Sequence, residues 1–218
     1  EFRLSARYAF TDNFSVKAGF NSMRQYIHKL SNTVIMSPTD TWKLSDVNIK
    51  PQRGWQAAAG LYLNSPSGIW EYSVEGYYKR MSDYLDYRGG AKLLMNHHIE
   101  TDVINTQGHA YGVELQVKKQ VGKLNGWMSY TYSRTFLRQN DKRIEKPVNN
   151  GDWYPTEYDK PHDFKFVGNY KFTHRYSMSI NVDYSTGRPT TIPAGQYYDE
   201  STQSMRVYYT ERNSYRIP

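Results

Sequence analysis

The sequence predicts an all-β protein: an antiparallel transmembrane β-barrel, of which the chain forms a piece with about 8–10 strands. Three observations favour this class. Apolar and polar residues alternate along eight segments, as in half-buried strands. The connections between these segments are alternately tight turns and stretches of roughly twenty to thirty residues. Aromatic residues make up 16% of the 218 residues, with 21 Tyr and 5 Trp, and they stand at both ends of many apolar stripes.

Each predicted strand has one apolar and one polar face. The first places Phe2, Leu4 and Tyr8 on one face and Arg3 and Arg7 on the other. The apolar faces take every second residue of the segments 2–10, 14–20, 55–63, 70–78, 111–117, 126–132, 164–172 and 176–184. Further strand material is predicted at about 205–210. Because Lys or Arg facing lipid at mid-depth costs about 2–4 kcal/mol, we expect the polar faces to line a lumen.

The connections distinguish this barrel from a soluble β-sandwich. A sandwich also has strands of period two, but nothing sorts its loops into two length classes. Outer-membrane barrels have short periplasmic turns at one rim and long external loops at the other. The turns here are predicted at 11–13, 64–68, near 122 and at 173–175. Long external loops are predicted at about 26–53, 87–107, 137–161 and 186–204.

Composition excludes several other classes. Only 38% of residues are hydrophobic and the mean hydropathy is −0.82, so no transmembrane helix is expected. The aromatic content excludes a disordered chain. The absence of Cys excludes disulfides and thiolate metal sites. The net charge is +7, but the 28 Lys and Arg are spread along the chain, and no nucleic-acid partner is expected.

Several motifs occur in an order that resembles the barrel of TonB-dependent outer-membrane receptors, especially the Bacteroidota type. Each is loose alone, and their shared order over nearly the whole chain carries the resemblance. They are QYIHKLSN (25–32), PTDTW (38–42), NIKPQ (48–52), EYSVEGYYKRM (71–81), AYGVELQVKK (110–119), GKLNGWMSYTYSRT (122–135), YDKPHDF (158–164) and STGRPT (185–190).

The resemblance implies a single domain, 1–218, that is part of a 22-stranded barrel. The family's N-terminal plug domain and its final strand with a terminal aromatic residue are absent from the chain, and RIP at 216–218 resembles the lead-in to a further strand. We therefore expect a contiguous piece of a larger receptor with an open edge at each end. An open edge cannot face lipid without unsatisfied backbone groups, so this piece should not be stable in a membrane alone.

The same resemblance implies the function: part of an active-transport receptor in the outer membrane of a Gram-negative bacterium. Such a receptor binds a scarce ligand and imports it into the periplasm with energy supplied by TonB. It is not an enzyme and needs no cofactor. The implied partners are outer-membrane lipid and lipopolysaccharide, the receptor's own plug, TonB acting through that plug, and in some relatives a surface lipoprotein. The ligand could be a siderophore, a corrinoid, a glycan or a peptide.

Two alternatives come from other classes. One is a self-contained small outer-membrane barrel that acts as an anchor or adhesion module, with its first and last strands paired. The other is a barrel-embedded hydrolase, which would need a His, an acid and a nucleophile together at one rim. Its candidate residues are Asp159, His162 and Asp163. In the family, the motif that contains them is a structural element leading from a loop into a strand.

Aromatic residues in the long loops are the candidates for stacking on a ligand. The alternative is that they pack the loops together or complete the outer aromatic girdle, and this is favoured for any single residue. The main candidates are Trp42, Trp153, Tyr154 and Tyr158, with Tyr197 and Tyr198 as further candidates.

Histidines and loop cations provide two weaker signals. No metal site is predicted, because nothing supports coordination by His97, His98 and His109 near Glu100 and Asp102. Lipopolysaccharide contact is considered for Lys142, Arg143 and Lys146, although solvated loop charge is the favoured interpretation.

Overall fold

A computed structural model describes residues 1–29, 42–47, 49–87, 103–139 and 147–217. Within them, no helix is long and apolar enough to cross a membrane. The only helical element there is a short 3-10 segment, Val148–Gly151. The strands are β1 (Phe2–Ala9), β2 (Phe14–Gln25), β3 (Ile27–Lys29), β4 (Trp42–Leu44), β5 (Gln52–Asn64), β6 (Trp70–Tyr87), β7 (Val103–Lys119), β8 (Leu124–Gln139), β9 (Tyr154–Pro155), β10 (His162–Lys171), β11 (Ser177–Ser185), β12 (Pro189–Thr190), β13 (Pro193–Asp199), β14 (Ser204–Tyr209) and β15 (Tyr215–Arg216).

Eight strands form one antiparallel sheet in the order β1-β2-β5-β6-β7-β8-β10-β11, with β9 paired to β8. Two-stranded sheets, β3-β4, β12-β15 and β13-β14, accompany it. The predicted all-β antiparallel class is confirmed. Within the described residues, β1 and β11 are the two edges and do not pair with each other, so the sheet is not closed.

The register gathers the alternating residues into rows that cross the whole sheet. One row is entirely apolar: Tyr8, Val16, Leu61, Val74, Leu115, Tyr130, Phe164 and Tyr184. The adjacent row, on the opposite side, is Arg7, Lys17, Gly60, Glu75, Glu114, Thr131, Asp163 and Ser185. We call these sides the apolar face and the polar face. Tyr8, Leu61 and Val74 are 66%, 49% and 42% exposed, so no protein layer covers the apolar face there.

Rings on the apolar face form two bands, one near each end of the strands. The first band includes Phe20 and Trp55, whose ring centroids are 6.1 Å apart, and Tyr78, 5.5 Å from Trp55. It continues to His109 and Phe136, 5.4 Å apart. The second band contains the pairs Tyr8–Phe10, Trp70–Tyr72 and Tyr170–Phe172. Aromatic bands at two heights are typical of a wall that meets two membrane interfaces.

Short turns lie at one end of the sheet, which we call the turn end: residues 10–13, 65–69, 120–123 and 172–176. Two of these turns share one device. The Thr11 hydroxyl accepts hydrogen bonds from the backbone N–H groups of Asn13 and Phe14. The Thr173 hydroxyl does the same for Arg175 and Tyr176. Such local bonds specify a turn without help from distant residues.

At the opposite end, the loop end, the strands reach further than alternation predicts. β5 begins inside the predicted connection 26–53, β7 begins inside 87–107 and β8 ends inside 137–161. The predicted connection 186–204 contains β12, all of β13 and the first residue of β14. The alternation of apolar and polar residues ends before the hydrogen-bonded strands do. At this end protein also covers the polar face, so that residues such as Ile104 and Thr106 are buried there. The rest of the predicted loops, 30–41, 48, 88–102 and 140–146, lies outside the described residues.

A β-bulge in β6 exchanges its two faces near the loop end. The register shifts by one residue between Met81 and Tyr84, and Asp83 has a positive φ of 57°. Before the bulge, Tyr78 lies on the apolar face. After it, Tyr84 pairs with Thr106, so even-numbered residues of β6 lie on the polar face.

Candidate functional site

The most elaborate arrangement of the described residues is at the loop end, where the chain returns from β9 to β10. β9 pairs with β8 at Pro155 and Phe136, and β10 resumes this pairing at His162 and Tyr132. Six residues, 156–161, therefore lie opposite three, 133–135. The extra residues fold into a turn in which the Asp159 N–H donates to the Thr156 carbonyl over 3.0 Å. This turn brings the Asp159 carboxylate back against β8.

Asp159 connects three segments of the chain. Its side chain is 0% exposed and accepts from the Thr135 N–H over 2.8 Å. The carboxylate also receives the Arg134 Nε at 3.2 Å and the Arg216 Nη2 at 2.7 Å. Arg216 Nη1 donates to the Asp159 carbonyl and to the Gly187 carbonyl. One buried carboxylate thus holds β8, the 154–161 segment and β15 together.

A second carboxylate, Asp86, is 18% exposed and lies on the polar face beyond the bulge. The Tyr154 hydroxyl donates to its Oδ2 over 2.5 Å, and the Arg212 Nη1 donates to the same oxygen over 2.7 Å. Burial raises the pKa of Tyr154 far above its usual range, and the adjacent Asp86 carboxylate raises it further. Asn149 fixes the backbone of Arg212 through bonds to its N–H and its carbonyl. This network also connects the chain before β10 with the chain after β11.

Asn213 and Gly187 make further close contacts in the same region. The Asn213 side-chain amide donates to the Pro155 carbonyl over 2.8 Å, and its N–H donates to Thr191 Oγ1. Gly187 passes so close to β15 that a Cβ there would lie 1.6 Å from the Ile217 carbonyl oxygen. Only glycine allows this approach, which explains the glycine of the STGRPT motif.

The residues considered for hydrolysis do not assemble into a catalytic group. His162 Nδ1 lies 2.8 Å from the Tyr130 hydroxyl, on the apolar face. Asp163 is on the other face and pairs with Lys165 at 3.6 Å. Asp159 is occupied by two arginines. The three side chains therefore have separate partners, and the arrangement around Asp159 is that of a structural connection.

A family model described as "TonB dependent receptor-like, beta-barrel" matches residues 2–218. The chain belongs to this TonB-dependent receptor family. The family consists of outer-membrane transport receptors and is not an enzyme family. The resemblance stated from the sequence motifs is thus confirmed. Its narrower assignment to the Bacteroidota type stays a prediction.

Solved receptor structures have the same fold. The chain is similar to the ferripyoverdine receptor of the Pseudomonas aeruginosa outer membrane, bound to ferripyoverdine, with a TM-score of 0.56 and 13% identity. A complex of FpvAI with pyocin S2 gives a TM-score of 0.54 and 12% identity. In both cases 96% of this chain is covered, and it spans 25% of the other chain. No protein with a curated description matches the chain.

Within this piece of a receptor barrel, the four predicted stacking residues have different surroundings. Trp42, in β4, is 57% exposed and Tyr158 is 54% exposed. Trp153 meets His109 edge-on at 4.4 Å and has the Arg138 guanidinium 5.6 Å from its ring centroid, so it extends the first aromatic band. Tyr154 is 1% exposed, and a ligand would reach its ring only after the Asp86 network opened. A ligand-binding role for these residues stays a prediction.

Several other candidates lie outside the described residues: His97, His98, Glu100, Asp102, Lys142, Arg143 and Lys146. His109 is described, and it packs among the aromatic rings of the apolar face. In the described part of the chain, no group of three or more His, Asp or Glu residues could hold a metal ion.

Sequence reasoning missed the partners of the two carboxylates. The motif around Asp159 was recognised, but Asp86, Arg212 and Arg216 carried no signal because their contacts join residues 57 to 126 positions apart. It also missed the buried His28, whose Nε2 lies 3.1 Å from the Ser45 hydroxyl. This pair joins the chain on the two sides of the β3-β4 sheet. His28 lies in the predicted connection 26–53, where no alternation indicates a strand.

Proposed function

We propose that this chain forms part of the wall of an outer-membrane active-transport receptor, which binds a scarce ligand and imports it into the periplasm with TonB-supplied energy. The observation that carries the proposal is the family match over residues 2–218. In this proposal, the turn end faces the periplasm and the loop end faces the outside of the cell, as in other outer-membrane barrels. The apolar face then meets lipid and the polar face lines the lumen.

The loop end would serve as a stiff support for ligand contacts. The Asp159 and Asp86 networks fix the segments 147–161 and 187–216 to β8 and to each other. A surface held in this way loses little conformational entropy when a ligand binds. The exposed rings of Trp42 and Tyr158 are the best placed of the four candidates to stack on such a ligand.

The moving part of the mechanism would be the receptor's own plug, on which TonB acts. The charged row of the polar face, including Arg7, Lys17, Glu75 and Glu114, would then face the plug and the passing ligand. Lipopolysaccharide around the loop end and a surface lipoprotein above it are further partners under this proposal.

The ligand class is tested with a panel of probes. Cells producing the full-length receptor are given ⁵⁵Fe-ferripyoverdine, ⁵⁷Co-cobalamin, a fluorescent oligosaccharide and a labelled peptide. We expect accumulation of one probe, and its loss in cells that lack TonB or are treated with an uncoupler. Ferripyoverdine is included because the similar solved receptor binds it, although 13% identity supports no choice among the four. Accumulation that persists without TonB would contradict active transport.

The alternative function is an anchor or adhesion module built on a complete small barrel. It requires β1 to pair with β11, and these are the unpaired edges among the described residues. An antibody against this segment separates the two functions on blots of purified outer membranes. We expect a species about four times larger than 25.6 kDa, since the chain spans 25% of similar receptors. A 25.6 kDa species whose migration changes on heating would favour the anchor.

A further inference from the structure

Three exposed arginines lie side by side on the apolar face, near the loop end. Arg24 of β2 and Arg53 of β5 are direct cross-strand partners. Arg80 of β6 is the partner of Trp55, and since Trp55 and Arg53 are two residues apart on one face, Arg80 is the diagonal neighbour of Arg53. No register shift separates these positions from the apolar row, so the three side chains lie on the apolar face. We call Arg24, Arg53 and Arg80 the arginine patch.

The protein compensates little of the charge of the arginine patch. Arg53 Nη2 lies 3.8 Å from Asp83 Oδ2, and the Arg53 side chain is 60% exposed. Among the described residues, neither Arg24 nor Arg80 forms an ion pair with a carboxylate. Like charges on directly opposite residues of two strands destabilise a sheet, and Arg24 and Arg53 are such a pair. An anion between the guanidinium groups would remove this repulsion.

Aromatic rings set the depth at which the arginine patch would meet a membrane. Arg53 lies two residues beyond Trp55, towards the loop end of β5. Arg80 lies two residues beyond Tyr78, towards the loop end of β6, and the Trp55 and Tyr78 rings are neighbours in the first aromatic band. Two residues of a strand cover about 7 Å. Because Trp and Tyr rings favour the boundary between hydrocarbon and headgroups, the guanidinium groups reach the headgroup layer.

The basic groups of the turn end are placed differently. Lys119 lies on the apolar face, but its ammonium donates to the carbonyls of Val121 and Leu124, each over 2.7 Å. Four further basic side chains line a recess of about 520 Å³ on the turns 120–123 and 172–176: Lys123, Lys171, His174 and Arg175. The strand register places Lys123 and Lys171 on the polar face. These residues therefore give the apolar face no counterpart of the arginine patch.

We propose that the arginine patch binds the phosphorylated headgroup of lipopolysaccharide, whose acyl chains then lie along the apolar face towards the middle of the strands. The inference rests on the proposed function, which places the loop end outside the cell and the apolar face against lipid. The headgroups at this level then belong to the outer leaflet. A guanidinium binds phosphate through two parallel hydrogen bonds, and basic residues at a membrane surface attract anionic lipids. The patch lies on strands and is separate from the loop cations Lys142, Arg143 and Lys146.

The test measures lipid binding by the full-length receptor with native mass spectrometry in a neutral detergent. The probes are lipid A, the phosphorylated and acylated disaccharide of lipopolysaccharide, the same lipid A without its phosphates, and phosphatidylglycerol. We expect the wild type to bind phosphorylated lipid A in preference to the other two lipids. The variant R24Q/R80Q keeps Arg53 and its ion pair with Asp83. Its affinity for phosphorylated lipid A should fall about fivefold for each arginine removed.

The matched control is R3Q/K79Q, which removes two cations from one row of the polar face. Lys79 precedes Arg80 in β6 and lies on the opposite face, so both variants change the net charge equally and differ in the side of the sheet that they alter. We expect the control to bind phosphorylated lipid A like the wild type, and both variants to keep the heat-modifiable migration of a folded barrel.

Three results would overturn the proposal: equal losses of affinity in the two variants, an unchanged affinity in R24Q/R80Q, and equal binding of the two forms of lipid A by the wild type. The last comparison needs no variant and stands even where a substitution disturbs folding. Equal binding of phosphatidylglycerol would show a general surface for anionic lipids and would overturn the assignment to lipopolysaccharide.

The readout is independent of transport. A receptor that prefers phosphorylated lipid A but accumulates no labelled ligand would count against the proposed function alone. A receptor that transports a ligand but shows no preference among the lipids would count against the arginine patch as a lipopolysaccharide site alone.

Discussion

The two ends of the same strands are held in different ways. At the turn end, Thr11 and Thr173 close their turns through bonds to residues two and three positions ahead. At the loop end, Asp159 reaches Arg216 across 57 positions, and Asp86 reaches Arg212 across 126. One end is thus specified locally, whereas the other forms only when distant parts of the chain have already come together.

The ends also differ in how they use charge. The loop end holds two carboxylates, the buried Asp159 and the partly buried Asp86, each with an arginine partner at 2.7 Å. The turn end leaves four basic groups around an open recess with no carboxylate in its lining. At the loop end, these charged side chains pair with each other and connect segments of the chain. At the turn end, the basic side chains around the recess have no carboxylate beside them in its lining.

The largest effect is expected for Asp159→Asn. The amide cannot neutralise Arg134 and Arg216, so breaking this buried pair should cost about 3–5 kcal/mol of local stability. Hydrogen exchange of the full-length receptor should show faster exchange in 154–161 and in 187–216. The control is Asp163→Asn, whose partly exposed pair with Lys165 should contribute about 0–1 kcal/mol. Equal effects of the two variants would contradict the structural role of Asp159.

Tyr154→Phe should have a smaller effect at the same end. It removes one donor from the partly buried Asp86 and leaves Arg212 in place, so the local stability should fall by about 1–3 kcal/mol. Exchange should accelerate around 149 and 212 together, because Asn149 holds the backbone of Arg212. The exposed Tyr158 provides the control: Tyr158→Phe should leave exchange unchanged.

Thr11→Ala examines the turn end. The loss of one hydroxyl acceptor should cost about 0.5–1.5 kcal/mol. Since the bonds are local, faster exchange should be confined to residues 10–14. Thr173→Ala should behave in the same way at its own turn. A change that spread to the loop end would show that the two ends are coupled after all.

The smallest effect is a pH dependence of the loop end. Although Glu157 keeps contact with solvent, the surrounding protein and the Asp86 carboxylate raise its pKa above the ordinary 4.5, against the opposing Arg212 and Arg188. The folded loop end therefore binds this proton more tightly than the unfolded chain. Its stability should increase as the pH falls from above the raised pKa towards 4.5, and decrease as the pH rises through the same window.

Glu157→Gln tests this dependence. The variant should remove this part of the pH dependence of exchange in 154–161, after correction for the intrinsic exchange rate. An identical pH profile in both proteins would show that another group is responsible.

Much of the wall could be predicted because a strand has a local period. Alternation places residues such as Leu61, Val74 and Leu115 on one face, and the register then aligns them in one row. The turns could be predicted from their composition because they too are fixed by local contacts, between residues two and three positions apart. The burial of Tyr154 was not predictable, since it depends on Asp86 and Arg212, far away in the sequence. An aromatic residue in a loop carries no sequence signal for burial when its partners are distant in the sequence and outside the alternating pattern of a strand.

The bulge at Asp83 adds one residue to β6 and so exchanges the faces on which all later side chains of this strand lie. Asp83 forms a long ion pair with Arg53, at 3.8 Å, and the residue that it adds to β6 determines on which face of the sheet the four following residues lie. Deleting it would turn Tyr84 and Asp86 to the apolar face without altering either residue, and would leave the guanidinium of Arg212 without its carboxylate. A deletion of one residue here is therefore expected to have a larger effect than most substitutions, because it moves several side chains to the opposite face of the sheet at once.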